Sequence, residues 1–188
     1  MVMEELLFGK QIVAVVDTFF GDSGKGRIVD FLASLKQDSK PWFSAVYRAN
    51  GGPNTGHTVV VDGEKYVFHL IPSAALLEDV DCYIGKAVKF EPITFFMELE
   101  KVIHKNKNHV ICVDSDSQVI MPWHIALDNL TEASSGEQKI GTTGKGVGPS
   151  KETHDHRKGY VTVGMLTDTN NLEKNLRLMG FCFSISKK

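Results

Sequence analysis

At 188 residues, with 42% hydrophobic and 23% charged side chains, the chain suits a single domain over residues 1–188 with a sizeable core, and would be crowded as two. A formal net charge of −2 excludes a global electrostatic pull toward nucleic acid or an anionic membrane, so any anion must be bound by local geometry. Three scattered cysteines, Cys82, Cys112 and Cys182, argue against a disulfide framework or structural zinc and for a reducing cytoplasm; no run nears the roughly 18 apolar residues of a membrane span, and the N-terminal MVMEELLFGK is a poor secretory signal.

Residues 11–16, QIVAVV, are a short β-branched run expected to form a strand buried on both faces of a parallel sheet and ending at Asp17. Residues 26–35, GRIVDFLASL, place Ile28, Phe31, Leu32 and Leu35 at offsets of three and four, which predicts a helix with those residues on its apolar face. A second buried strand is expected over 43–49, and a hairpin turned by Asp62-Gly63 over 57–72. The run DCYIGKAVKF reads as another strand. A helix is predicted over 92–105, with Pro92 near its start and Ile93, Phe96, Met97, Val102 and Ile103 as its apolar positions. A strand over 109–114, a helix in PWHIALDNLTEA and a glycine-punctuated loop over 139–159 complete the pattern. The fold class that follows is α/β: a mostly parallel central sheet with covering helices, as a variant of the P-loop-NTPase architecture.

Three loops carry the chemistry. The first, FGDSGKG, lies between the first strand and the first helix, where phosphate-binding loops sit. It fails the P-loop spacing, because only two residues separate Gly21 from Gly24 and Gly26 stands where the Ser or Thr should follow Lys25. What remains is a general anion cradle: glycine amides, a helix N-terminus and the Lys25 ammonium. Asp22 beside such a cradle suggests a magnesium ligand or a general base, the bland alternative being a helix cap. The second loop, NGGPNTGHT, puts His57 after paired glycines, where the ring can donate to a phosphate or leaving oxygen, although a lone histidine after a turn is more often structural. The third, IGTTGKGVGP, offers the hydroxyls of Thr142 and Thr143, glycine amides and Lys145, or is simply a surface loop.

Together these loops resemble the adenylosuccinate synthetase family, in which the first reads W-G-D-E-G-K-G, the second G-G-x-N-A-G-H-T before x-V-x-x-G-x-K-x-x-x-H-L-I-P-S, and the third I-G-T-T-G-R-G-I-G-P. Here they stand as FGDSGKG, GGPNTGHTVVVDGEKYVFHLIPS and IGTTGKGVGP, with HIALDN between the last two, and the resemblance covers about residues 11–167. It implies a ligase of AMP biosynthesis that joins L-aspartate to IMP, with GTP as co-substrate, Mg2+ as cofactor and a 6-phosphoryl-IMP intermediate. By the same resemblance Asp22 is the base that draws a proton from N1 of IMP and also a magnesium ligand. Lys25 contacts the GTP phosphates, Gly56 binds magnesium through its carbonyl, and His57 is the general acid toward the β/γ bridging oxygen. Gly21, Ser23, Gly24, Gly26 and Thr58 would complete the phosphate site. Asn54, Thr143 and Arg157 would bind IMP, Arg157 reaching into a neighbouring subunit, which implies a homodimer or a partner polypeptide.

The departures are Ser23 for the family's usual Glu, Phe19 and Phe20 for Gln-Trp, Pro53 for His and Lys145 for Arg. Family members are more than twice as long, and nothing in residues 168–188 resembles their aspartate-binding and guanine-reading segments. A second reading follows from that: an inactive nucleotide-binding remnant or regulator pairing with a full-length synthetase. Retention of Asp22, Lys25, His57, Thr143 and Arg157 favours the enzyme.

Overall fold

The computed structural model describes residues 11–18, 23–105, 110–136, 141–157, 159–168, 170 and 172. In chain order its elements are α1 (Lys25–Ser34), β1 (Lys36–Gln37), β2 (Lys40–Pro41), β3 (Ala45–Gly51), β4 (His57–Val61) and β5 (Glu64–Phe68). A buried 3-10 turn (Ser73–Leu76) leads to β6 (Asp81–Phe90), α2 (Pro92–Ile103), β7 (Ile111–Val113), β8 (Gln118–Val119), α3 (Pro122–Ser134), α4 (Val147–Asp155) and α5 (Val163–Thr167).

The main sheet is parallel. β6 lies between β3 and β7, and its far end pairs with β8. Of its ten residues, Cys82, Ile84, Gly85, Val88 and Phe90 are buried, as expected of an interior strand with helical crossovers. β4 and β5 form the expected hairpin, turned at Asp62 and Gly63, both at positive φ, the conformation that two-residue hairpin loops demand. The hairpin's strand pairing ends at Phe68, and residues 69–72 run into the core, where Phe68, Leu70 and Ile71 are fully buried. Burial of that kind contributes roughly 1.5–3 kcal/mol per side chain.

Several expectations are corrected. Residues 12–18 join no ladder with a described strand. Val13, Val15 and Asp17 are half-buried while Ile12 and Val16 are 88% and 78% exposed, so strand periodicity is present without pairing. β3 is not buried on both faces, since Tyr47 is exposed. α1 forms, but Leu32 and Ala33 are its buried residues, with Ile28 and Phe31 about half exposed. α2 forms as well, capped by the Glu91 carboxylate, which accepts from the Ile93 and Thr94 amides at 3.0 and 2.7 Å. Its core face, however, is Phe95, Glu98 and Val102, leaving Ile93, Phe96, Met97 and Ile103 exposed. The glycine-rich stretch over 139–159 is not loop throughout, because α4 starts at Val147.

Gly146 makes that start possible. It caps α4 at φ +71, and a Cβ there would lie 2.7 Å from the Ile125 amide nitrogen and 2.8 Å from the His124 carbonyl carbon. Backbone strain and backbone overlap both act against a side chain, so Gly146→Ala is expected to destabilise the fold by more than about 2 kcal/mol, read from the urea midpoint.

His124 joins α3 to α4. Its Nδ1 accepts from the Met121 amide at 3.0 Å, and its Nε2 meets the Thr153 hydroxyl at 3.2 Å, which itself donates to the Pro149 carbonyl at 2.8 Å. That arrangement requires a neutral ring with the proton on Nε2. Burial pushes its pKa down from 6.5 to about 4. The unfolded chain therefore binds this proton more readily than the native one. The stability is fully present above about pH 6.5 and is lost as the pH falls toward about 4, by up to roughly 1.4 kcal/mol per pH unit. Denaturation curves between pH 7 and 4 should show that loss, and His124→Gln should flatten it.

Candidate functional site

The three loops are linked by close approaches, the first meeting the second at Gly26 and the second meeting the third at Gly52. In the first loop, Gly21 and Asp22 lie outside the described residues. Ser23, Gly24 and Lys25 are exposed, and Gly24 caps α1 with its carbonyl accepting from the Arg27 and Ile28 amides at 3.0 and 3.3 Å. The Lys25 ammonium is held by the Asp17 carboxylate at 2.5 Å and by the Ser23 hydroxyl at 3.3 Å, and Ser23 also donates to Asp17. Asp17 is an unforeseen member of the site, signalled in the sequence only by its place after the apolar run. It competes with any phosphate for Lys25. An exposed pair of this kind is worth about 1 kcal/mol at most, so Asp17→Asn is expected to tighten polyphosphate binding by up to about fivefold, measured by titration calorimetry.

The second loop is pinned by Arg48 of β3. Its guanidinium donates to the carbonyls of His69, of Leu70 at 3.0 Å and of Gly52 at 3.1 Å, and burial holds its pKa below the ordinary arginine range. An arginine in a strand reads as exposed in a sequence, and nothing marked this one. His57 opens β4. A Cβ placed on Gly26 would lie 2.7 Å from the His57 Cβ, so the first and second loops are in direct contact there. The ring packs at 5.9 Å from that of Phe68, and its buried Nε2 has no hydrogen-bond partner among the described residues. Burial first, then the Arg48 charge, pushes the His57 pKa down to about 4. His57 is therefore neutral at pH 7. Asn54, Gly56 and Thr58 are exposed around it.

The second loop also meets the third. Gly52 is buried, and a Cβ on it would sit 3.3 Å from Val147 Cγ2 and 3.3 Å from Lys89 Cβ. α3 holds the third loop with three side chains of the HIALDNLTE stretch. The Asp128 carboxylate accepts from the Gly146 amide at 2.8 Å, Glu132 accepts from the Gly141 amide at 2.7 Å, and Asn129 donates to the Gly144 carbonyl at 3.4 Å. Thr142, Thr143 and Lys145 are left exposed. Arg157 is not gathered with them. It follows α4 at the end opposite Gly146, about 13 Å away at 1.5 Å per helical residue, exposed and at φ +54.

This arrangement of a glycine-lysine loop, a histidine loop and a threonine loop has its counterpart in known proteins, since the adenylosuccinate synthetase profile matches residues 14–181. The chain belongs to the adenylosuccinate synthetase family. Against the adenylosuccinate synthetase of Borrelia turicatae it is 40% identical over 167 residues, which is 89% of this chain and 37% of the relative. Against that of Stutzerimonas stutzeri it is 42% identical over 171 residues, covering 90% of this chain and 93% of the relative sequence. Among solved structures it resembles the fully ligated adenylosuccinate synthetase from Plasmodium falciparum, with 26% identity and a TM-score of 0.70 over 85% of this chain and 37% of that one. The chain spans little more than a third of the length of the Borrelia synthetase. These matches bear out the family and the α/β class.

Proposed function

We propose that this chain carries the phosphoryl-transfer machinery of an adenylosuccinate synthetase, acting on IMP, GTP and L-aspartate in the cytoplasm. The observation that carries the reading is the junction of the loops: His57 pressed on Gly26, its buried Nε2 without a partner, beside the Lys25 cradle. A buried polar atom left unpaired is costly and asks for a ligand.

In this reading Asp22 takes the N1 proton of IMP, and O6 attacks the γ-phosphorus of GTP. The O6–P bond forms as the bond from phosphorus to the β/γ bridging oxygen breaks. The aspartate amine then displaces phosphate from C6. Phosphorylation is needed because O6 alone is a poor leaving group. Lys25 exchanges Asp17 for the GTP phosphates. The negative charge of the polyphosphate raises the proton affinity of His57, so that Nε2 can carry a proton to the bridging oxygen. Thr58 and the amides of Ser23, Gly24 and Gly26 line the phosphates with Gly21, while Asn54 and Thr143 face IMP.

Among the described residues no cluster of three or more His, Cys, Asp or Glu could hold a metal alone. The donor set suits Mg2+ nonetheless, because that ion is commonly bound by one or two carboxylates completed by substrate phosphates. The Asp22 carboxylate and the Gly56 carbonyl would hold it, and when bound it supplies neutralisation of the developing phosphate charge. A homodimer or partner polypeptide is part of the proposal. It is supported by the position of Arg157 away from its own loops and by the exposed Phe96 and Met97 on α2. No helix among the described residues is long and apolar enough to cross a membrane.

The test is calorimetric titration with IMP, GTP and Mg2+, followed by a phosphate-release assay. Binding of both nucleotides, with phosphate released only when IMP and aspartate are present, is the expected result. Failure to bind either nucleotide overturns the proposal.

A further inference from the structure

Arg48 is a cation held within the second loop, yet it has no donor left for a ligand. Its guanidinium carries five N–H donors. Nη1 donates to the His69 and Leu70 carbonyls, the latter at 3.0 Å. Nη2 donates to the Gly52 carbonyl at 3.1 Å and to the Thr55 hydroxyl at 3.4 Å, and Nε donates to the Asn50 carbonyl at 3.4 Å. Three of those acceptors belong to the second loop, so residues 50–55 wrap round the guanidinium. At Gly51, φ +102, a Cβ would stand 3.2 Å from Nη2. The other two acceptors belong to the segment leaving β5, which is itself held from the buried face of α2. There Glu98 accepts from three consecutive amides: His69 at 2.5 Å, Leu70 at 3.0 Å and Ile71 at 3.0 Å. Beyond Gly52 the path continues into the third loop. A Cβ on Gly52 would lie 3.3 Å from Val147 Cγ2, at the start of α4, and 3.5 Å from Asn54 Oδ1.

We propose that Arg48 is a positioning residue for IMP: by bonding to Asn50, Gly52 and Thr55 and fixing Gly52 against the start of α4, it sets Asn54 and the third loop's Thr143 in place before the nucleotide arrives. The ligand rests on the synthetase reading; the ordering of the loop does not. Gly51 and Gly52 are the residue type that loses most backbone freedom on ordering, and a loop that orders only around its ligand binds it more weakly by the cost of doing so. Here the ordering is completed during folding. Lysine could not replace the fork, because one ammonium on a flexible stem cannot serve five acceptors spread over two segments in fixed directions. Nor is Arg48 a phosphate ligand in waiting, since turning to a phosphate would leave the carbonyls that shape the loop without their donors.

The experiment reads loop order and IMP affinity separately in the full chain. By nitrogen-15 relaxation without ligand, the amides of Gly51, Gly52 and Asn54 are expected to have order parameters of about 0.85, the value of rigid backbone, falling below about 0.6 in Arg48→Lys. By titration calorimetry with IMP, Arg48→Lys, which keeps the charge and loses the fork, is expected to raise Kd by about 10- to 100-fold at unchanged stoichiometry. A merely structural role would lower the stoichiometry, through an unfolded fraction, and leave Kd alone. Gly52→Ala is the second variant. Its Cβ presses on Val147 and on Lys89 Cβ, each at 3.3 Å, and parts the second and third loops without removing a guanidinium donor, so Kd for IMP should rise about threefold or more. Order parameters below about 0.6 in the unaltered protein overturn the proposal even if neither variant folds. So does a folded variant of either kind whose Kd for IMP is unchanged. Absence of IMP binding by the unaltered protein would sink the synthetase reading and leave the loop-order result standing.

Discussion

Replacing His57 by alanine is expected to lower kcat for GTP-dependent phosphoryl transfer by about 100- to 10,000-fold, the range that a positioned general acid supplies. The KM for GTP should change little, because the interaction lost is made to the bridging oxygen as charge develops there. The structure supports this in two ways. His57 sits where the first and second loops touch, at Gly26, and its Nε2 is the atom left without a partner. Burial keeps the His57 ring neutral at pH 7, and in the proposed role its proton arrives with the polyphosphate, so the loss in His57→Ala should be confined to turnover and spare nucleotide binding. Steady-state phosphate release against GTP concentration separates the two. A variant that keeps its kcat removes His57 from the chemistry.

The largest effect on stability is expected from Glu98→Ala, at about 3–5 kcal/mol. Truncation orphans the amides of His69, Leu70 and Ile71 and removes the Glu98 charge that acts on the half-buried Arg48 guanidinium. Glu98 is 2% exposed, so water cannot replace the carboxylate without opening the core around Leu70 and Ile71. Because a domain's whole stability is about 5–15 kcal/mol, the variant should unfold at a far lower urea concentration or fail to fold. A loss under about 1 kcal/mol would mean that residues 69–71 are held by something other than this carboxylate.

The sequence made the order of elements and the loop positions legible, for reasons that are local. β6 is a ten-residue β-branched and aromatic run, the Asp62-Gly63 turn carries its own backbone preference, and Pro92 marks a helix start. Helix faces were not legible in the same way. α2 is apolar on nearly every side, with Phe95 next to Phe96 and Leu99 next to Val102 and Ile103, so periodicity could not choose between two stripes. The choice was made by Glu98, a residue that patterning assigns to solvent and that is drawn inward by three amides contributed from about thirty positions earlier in the chain. Arg48 was hidden for the same reason, its partners being the carbonyls of residues 52, 69 and 70.

The site divides along that line too. Ser23, Lys25, Gly26, Gly56 and His57 were found because glycine punctuation and a family pattern mark them, and the structure brings Gly26 against His57 and Gly52 against the start of α4. Arg48, Glu98 and the α3 residues Asp128, Asn129 and Glu132 hold those loops through side-chain bonds to backbone, and Asp17 through bonds to the Lys25 and Ser23 side chains, which no spacing in a sequence reveals. Asp22, assigned as base and magnesium ligand, and Gly21 lie outside the described residues, so their parts stand on the resemblance.

The measurement that tests the shared phosphate site most directly is an amide chemical-shift titration of the full chain with GTP and Mg2+, then with IMP. Convergence of the loops predicts that GTP moves Gly24, Lys25 and Gly26 together with Gly56, His57 and Thr58 along one binding curve, and that IMP then moves Asn54 and Thr143. Shifts in the first loop alone, with His57 and Thr58 unmoved at saturation, would contradict it.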